Sequence, residues 1–160
     1  MPAPRFNHAL LHLSTLTVLG VLAGSALAAD TPSTKSGTPP DLAAVRAKIK
    51  AKDFKAAVTD LGALVDGGMN HPDVYSLLGF SYRKSGDRTN GALYYRKALD
   101  LDPLHKGALE YQGAMFVEMG DMTKAKVNFA KLVQLCPSGC EEREDLEKDI
   151  AAAAKKKTKQ

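Results

Sequence analysis

Residues 72–103, PDVYSLLGFSYRKSGDRTNGALYYRKALDLDP, leave this chain few folds to choose from. Tyr75, Leu78, Gly79 and Tyr82 recur at spacings of three, four and seven, which stacks their side chains on one face of a helix. Gly86 and Asp87 then supply a stop and a new start, because glycine accepts the left-handed conformation and an aspartate side chain accepts from the free N–H groups of a first turn. A second helix runs to about Leu101 with Gly91, Tyr95, Ala98 and Leu101 inward, and Pro103 prevents its continuation. The stretch is a helical hairpin: Gly79, Gly91 and Ala98 let the two helices approach, while Leu78, Tyr82 and Tyr95 fill the space between them.

Tyr75, Leu78, Gly79, Tyr82, Gly91, Tyr95, Ala98 and Pro103 resemble the signature of the tetratricopeptide repeat, a helical hairpin that recurs with a fixed period. Gly91 stands where that family usually has Ala. Moving the frame forward gives a repeat over 106–139, with Leu109, Gly113, Phe116, Gly120, Asp121, Ala125, Phe129, Leu132 and Pro137 in register and Gln112 in place of the leucine before Gly113. Pro103 and Pro137 stand one full repeat apart, which fixes the period. Moving it back gives a degenerate repeat over 38–71: Asp53 caps a helix with Phe54, Ala57, Leu61 and Leu64 inward. The helix before it, 41–51, has Val45 for the glycine and Lys48 for the tyrosine, as suits a terminal repeat with one face in water.

The segment from 140 to 154 reads as one amphipathic capping helix with Leu146 and Ile150 inward, acidic at its start, and 155–160 as a basic tail. The expected fold is therefore all-α, a right-handed α-solenoid of three helical hairpins over 41–139 plus a C-terminal cap. What the resemblance implies is protein or peptide binding in a concave groove lined by the first helix of each hairpin. On that register the groove presents Leu42, Arg46 and Ile49, then Asp73, Ser76, Phe80 and Arg83, then Glu110, Ala114 and Val117. Phe80 and Arg83 pair an aromatic ring with a guanidinium as a peptide anchor; the competing reading packs Phe80 under Tyr111 or the cap. Some members of the family clamp a C-terminal carboxylate with lysines and asparagines. The comparable places here hold Leu42, Arg46, Ser76, Phe80, Glu110 and Ala114, so that reading lacks its donors.

The N-terminus carries an apolar run over 9–23 after Arg5 and a small-x-small pattern, Ala26-Leu27-Ala28, which reads as a signal peptide over 1–28 cut after Ala28. The run is short of the ~20 residues that span a bilayer, so no membrane span is expected once it is removed. Residues 29–40 are rich in Pro, Ser, Thr and Gly and form a flexible linker. The location implied is a bacterial periplasm, or secretion. The formal charge is +4 over 160 residues, and +3 without Arg5, too mild to argue for nucleic acid.

Catalytic patterns are missing: there is no phosphate loop, no His-Glu-x-x-His and no acid pair, so no enzyme, cofactor or metal is expected. His71 and His105 fall in turns between repeats and read as polar surface. Cys136 and Cys140 are the one reactive pair. In an exported protein such a pair is expected as a disulfide. The competing function is a thiol-dependent redox or metal-handling accessory built on these two cysteines; the leading one is a noncatalytic scaffold or assembly factor for an unidentified protein or peptide.

Overall fold

Seven helices follow one another in the computed structural model, which describes residues 40–157, all within the unit Thr34–Gln160. The expected signal peptide and all of the linker except Pro40 lie outside the described residues. The helices are α1 (Ala43–Lys50), α2 (Phe54–Asp66), α3 (Pro72–Lys84), α4 (Arg88–Leu101), α5 (Lys106–Glu118), α6 (Met122–Leu135) and α7 (Glu141–Lys157), with no strand among the described residues. None of them is long and apolar enough to cross a membrane.

Three left-handed residues turn the chain within its hairpins. Lys52, Gly86 and Gly120 have φ of 61°, 95° and 77° and stand at equivalent places one repeat apart. Each precedes an aspartate, Asp53, Asp87 or Asp121, whose carboxylate accepts from the N–H of Ala56, Asn90 or Lys124 at 3.1, 3.0 and 3.1 Å. The pairs α1–α2, α3–α4 and α5–α6 are the hairpins. Successive ones stack, α2 on α3, α4 on α5 and α3 on α5. α7 then lies on α5 and α6, as the first helix of another hairpin would. The chain is an α-solenoid.

The signature residues make the packing. A Cβ on Gly79 would stand 2.6 Å from the ring of Tyr95, which is fully buried, so the glycine is what admits the tyrosine between α3 and α4. Leu61, Val74, Leu78 and Ala98 belong to one hydrophobic cluster, joined by the half-buried Tyr82 and Tyr94. Tyr82 and Tyr94 stack with centroids 5.4 Å apart, and Tyr94 also stacks on Tyr75. A second cluster, Leu109, Leu132 and Leu146 with Phe129 and Ile150, sits under α7, where Leu146 occupies the space a Cβ on Gly113 would need.

The departures from the repeat pattern are compensated locally. Lys48, standing for a tyrosine, pairs with Asp60. Gln112, standing for a leucine, accepts from the Nδ2 of buried Asn128 at 3.0 Å, and the same amide donates to the Leu109 carbonyl at 3.1 Å. Two boundaries differ from expectation. α1 starts at Ala43 because the Asp41 carboxylate accepts from the Ala43 N–H at 3.0 Å, which bends the chain out of the helix. α7 runs on to Lys157, beyond the expected 154: the alanines 151–154 and the lysines after them are good helix formers, and cations suit a helix C-terminus.

Candidate functional site: the concave groove

The first helices of the three hairpins and α7 enclose a groove of about 1020 Å³. Arg46, Asp73, Ser76, Phe80, Arg83, Glu110, Ala114 and Val117 line it, as their register requires. Leu42 and Ile49 do not. Both belong to the hydrophobic cluster, Leu42 at 5% exposure, because the short α1 must turn its apolar residues onto α2 to be held at all.

The lining residues differ in what they can offer a partner. Phe80 is half-buried, its centroid 4.7 Å from that of Tyr111 and 6.1 Å from that of Phe54, so it both packs under Tyr111 and faces the groove. Arg83 is not a free anchor. Its guanidinium lies 5.6 Å from the Phe80 centroid, its Nη1 donates to Glu118 Oε1 at 3.1 Å, and its side chain is 4% exposed. Ser76 is buried, with only its edge toward the groove. Asp73 shares a hydrogen bond with His105 Nε2 at 3.0 Å.

The two turn histidines are structural rather than polar surface. His71 Nδ1 accepts from the Asp73 N–H at 3.2 Å and caps α3; His105 Nδ1 accepts from the Ala108 N–H at 3.0 Å and caps α5. Standing one repeat apart, they do for the first helices what the aspartates do for the second, a periodicity visible in the sequence.

Glu110 is the most perturbed acid of the groove. Burial pushes its carboxyl from an ordinary 4.5 up to about 8, opposed by the positive charge of Arg83 and helped by Asp145, Asp149 and Glu142 on α7. The contribution of α7 to the groove is what the sequence reading missed. Glu141, Asp145 and Asp149 recur every fourth residue and so share one helix face, a signal present in the sequence beside the inward Leu146 and Ile150.

The turn into α7 is fixed covalently. Cys136 and Cys140 form a disulfide with Cα atoms 5.9 Å apart. Arg143 Nη1 donates to the carbonyls of Cys136 and Pro137, at 3.1 Å each.

Compared with known families, residues 72–103 match the tetratricopeptide repeat. That match falls on α3 and α4, so the chain contains a tetratricopeptide repeat there, and left-handed residues and caps recur at the same period on either side of it. The family's usual role is protein–protein interaction, and that coarse assignment follows the fold. No curated protein matches the chain.

Proposed function

We propose that the protein is a noncatalytic scaffold, an assembly factor of the bacterial periplasm, that holds an extended segment of a partner protein in the concave groove. The observation that carries this reading is the groove itself: three successive first helices each contribute side chains to it, so a segment lying across the hairpins meets every repeat in turn. Binding energy concentrates in aromatic anchors, and Phe80 with Tyr111 is the aromatic pair available. Export is supported by the apolar run over 9–23, the Ala26-Leu27-Ala28 pattern and a disulfide suited to an oxidising compartment. In this reading the disulfide serves to hold the α7 wall.

The test is site-specific photo-crosslinking. A crosslinking residue at Arg46 or Lys84, both exposed and lining the groove, is expected to capture a partner that the same residue at the exposed Val127 does not. Capture that is equal at all three positions overturns the groove. Mass spectrometry of the native protein is expected to find its N-terminus at Ala29 or Asp30. Intact chain from Met1 recovered in the cytosol overturns export.

A further inference from the structure

The groove is short of positive charge on one side. Along its lining, carboxylates outnumber Lys and Arg seven to five, and two of those cations are already committed. Arg83 Nη1 is bound to Glu118, and Lys148 Nζ lies 2.9 Å from Asp145 Oδ1. Among the described residues no side-chain hydrogen bond or ion pair ends on the Glu110 carboxyl, which lies half-buried on α5. It is faced by Arg83 from α3, Tyr95 from α4, its neighbour Tyr111, and Glu142, Asp145 and Asp149 from α7. Beside it, Arg83 is almost wholly buried and its Nε has no hydrogen-bond partner.

These features ask for complementary groups. Like charges across a concave, partly desolvated surface repel unless a cation stands between them. No group of three His, Cys, Asp or Glu residues among those described is gathered closely enough to hold a metal ion. An ammonium or guanidinium needs fewer partners and brings an apolar stem that can lie along Tyr111 and Ala114. Phosphate-bearing ligands would meet the same carboxylates as repulsion.

We propose that the segment held in the groove is basic, with a Lys or Arg side chain entering between Glu110 and the α7 carboxylates Asp145 and Asp149. This rests on the groove reading above and adds the chemistry of the occupant. Its arrival favours the charged form of Glu110, so binding near neutral pH releases a proton from that carboxyl. The interaction weakens with salt, as attraction between partly exposed charges does.

The probe is a library of peptides with fully randomised side chains, selected in parallel on the full chain, on the Glu110→Gln/Asp145→Asn/Asp149→Asn variant and on Phe80→Ala. Helicity and melting temperature are checked for each. The expected result is enrichment of Lys- or Arg-containing peptides on the natural chain, at least tenfold weaker binding of the same peptides to the triple variant, and proton release seen by calorimetry in buffers of different ionisation enthalpy. Peptides that need Phe80 but carry no basic residue, or that bind the triple variant equally well, overturn the basic occupant while leaving the groove reading intact. Failure to enrich any peptide that distinguishes Phe80→Ala from the natural chain overturns both. Because the triple variant replaces acids by their amide isosteres, a folded triple variant that has lost basic peptides cannot be explained by misfolding.

Discussion

Lys52 shows how a single position can keep the geometry of a repeat without its residue. Gly86 and Gly120 take the left-handed conformation without cost at the equivalent turns, with nothing within 4 Å of a would-be Cβ, whereas Lys52 holds φ 61° against its own Cβ. The strain is roughly 1 kcal/mol, offset in part by the greater freedom of glycine in the unfolded chain. Lys52→Gly is therefore expected to stabilise the protein by about 0.5 kcal/mol, and Gly86→Ala to destabilise it by about 1 kcal/mol, both read from urea midpoints. A Lys52→Gly protein less stable than the natural one would contradict this account. Glu110 provides a second prediction, in pH. Its folded value of about 8 stands above the ordinary 4.5, so the folded state keeps a proton that the unfolded state gives up. The stability it contributes is fully present below about pH 4.5 and is lost as pH rises through 8. Glu110→Gln keeps the shape and cannot ionise. The variant is expected to melt with the natural protein at pH 4.5 and several degrees above it at pH 9, a gain on the order of 1–2 kcal/mol after allowance for the carboxyl's partial exposure. An equal difference at both pH values would assign the effect to packing instead.

Among the elements, α7 is the one whose placement most affects the groove, since it forms a wall with its acidic face and closes the second hydrophobic cluster with Leu146. The disulfide at its start encloses a short loop, so the chain-entropy account gives only about 2 kcal/mol. Reduction is expected to lower the melting temperature by several degrees with most helicity retained, and the native protein to titrate no free thiol before denaturation. Two titratable thiols in the folded, unreduced protein would reject the bridge. This element also marks where sequence reading stops. The hairpins were legible because each is set by local chemistry that recurs: a left-handed residue, a capping aspartate, and a glycine opposite an aromatic at fixed offset. Which face of α7 meets the groove depends on how α7 docks on α5 and α6, a nonlocal matter, and the charged face that solvates a helix looks in sequence like one that lines a cleft. Leu42 and Ile49 were misplaced for a related reason. The register names the groove-facing positions of a full repeat, but a helix as short as α1, with few apolar side chains, needs those same positions for its own attachment. Tyr94, stacked between Tyr75 and Tyr82, supports the core between α3 and α4.

Across residues 40–157 the hairpins form a series in which stability depends on neighbours, and the two ends of that series are not alike. In a solenoid each repeat is stabilised by its own contacts and by those of the repeats beside it, so the terminal repeat with the poorer interface opens first. At the C-terminal end α7 covers α5 and α6 and is tied by the disulfide. At the N-terminal end α1 has 8 residues, its N-cap Leu42 makes no side-chain hydrogen bond, and α2 is the helix it chiefly packs against. α3, by contrast, packs against α2, α4 and α5, and buries Val74, Leu77 and Leu78 among them. Native-state hydrogen exchange is expected to show a gradient: α1 amides open with a free energy several kcal/mol below the global value, while α3, α4 and α5 exchange only by global unfolding. Because Arg46 of α1 lines the groove, this gradient also concerns binding. A segment that reaches Arg46 would hold α1 closed and slow its exchange, whereas one confined to α3, α5 and α7 would leave α1 as labile as before. Uniform protection along the chain in the absence of a ligand would show that the degenerate repeat is as firmly held as the other two, and the neighbour-dependent account of this solenoid would fail.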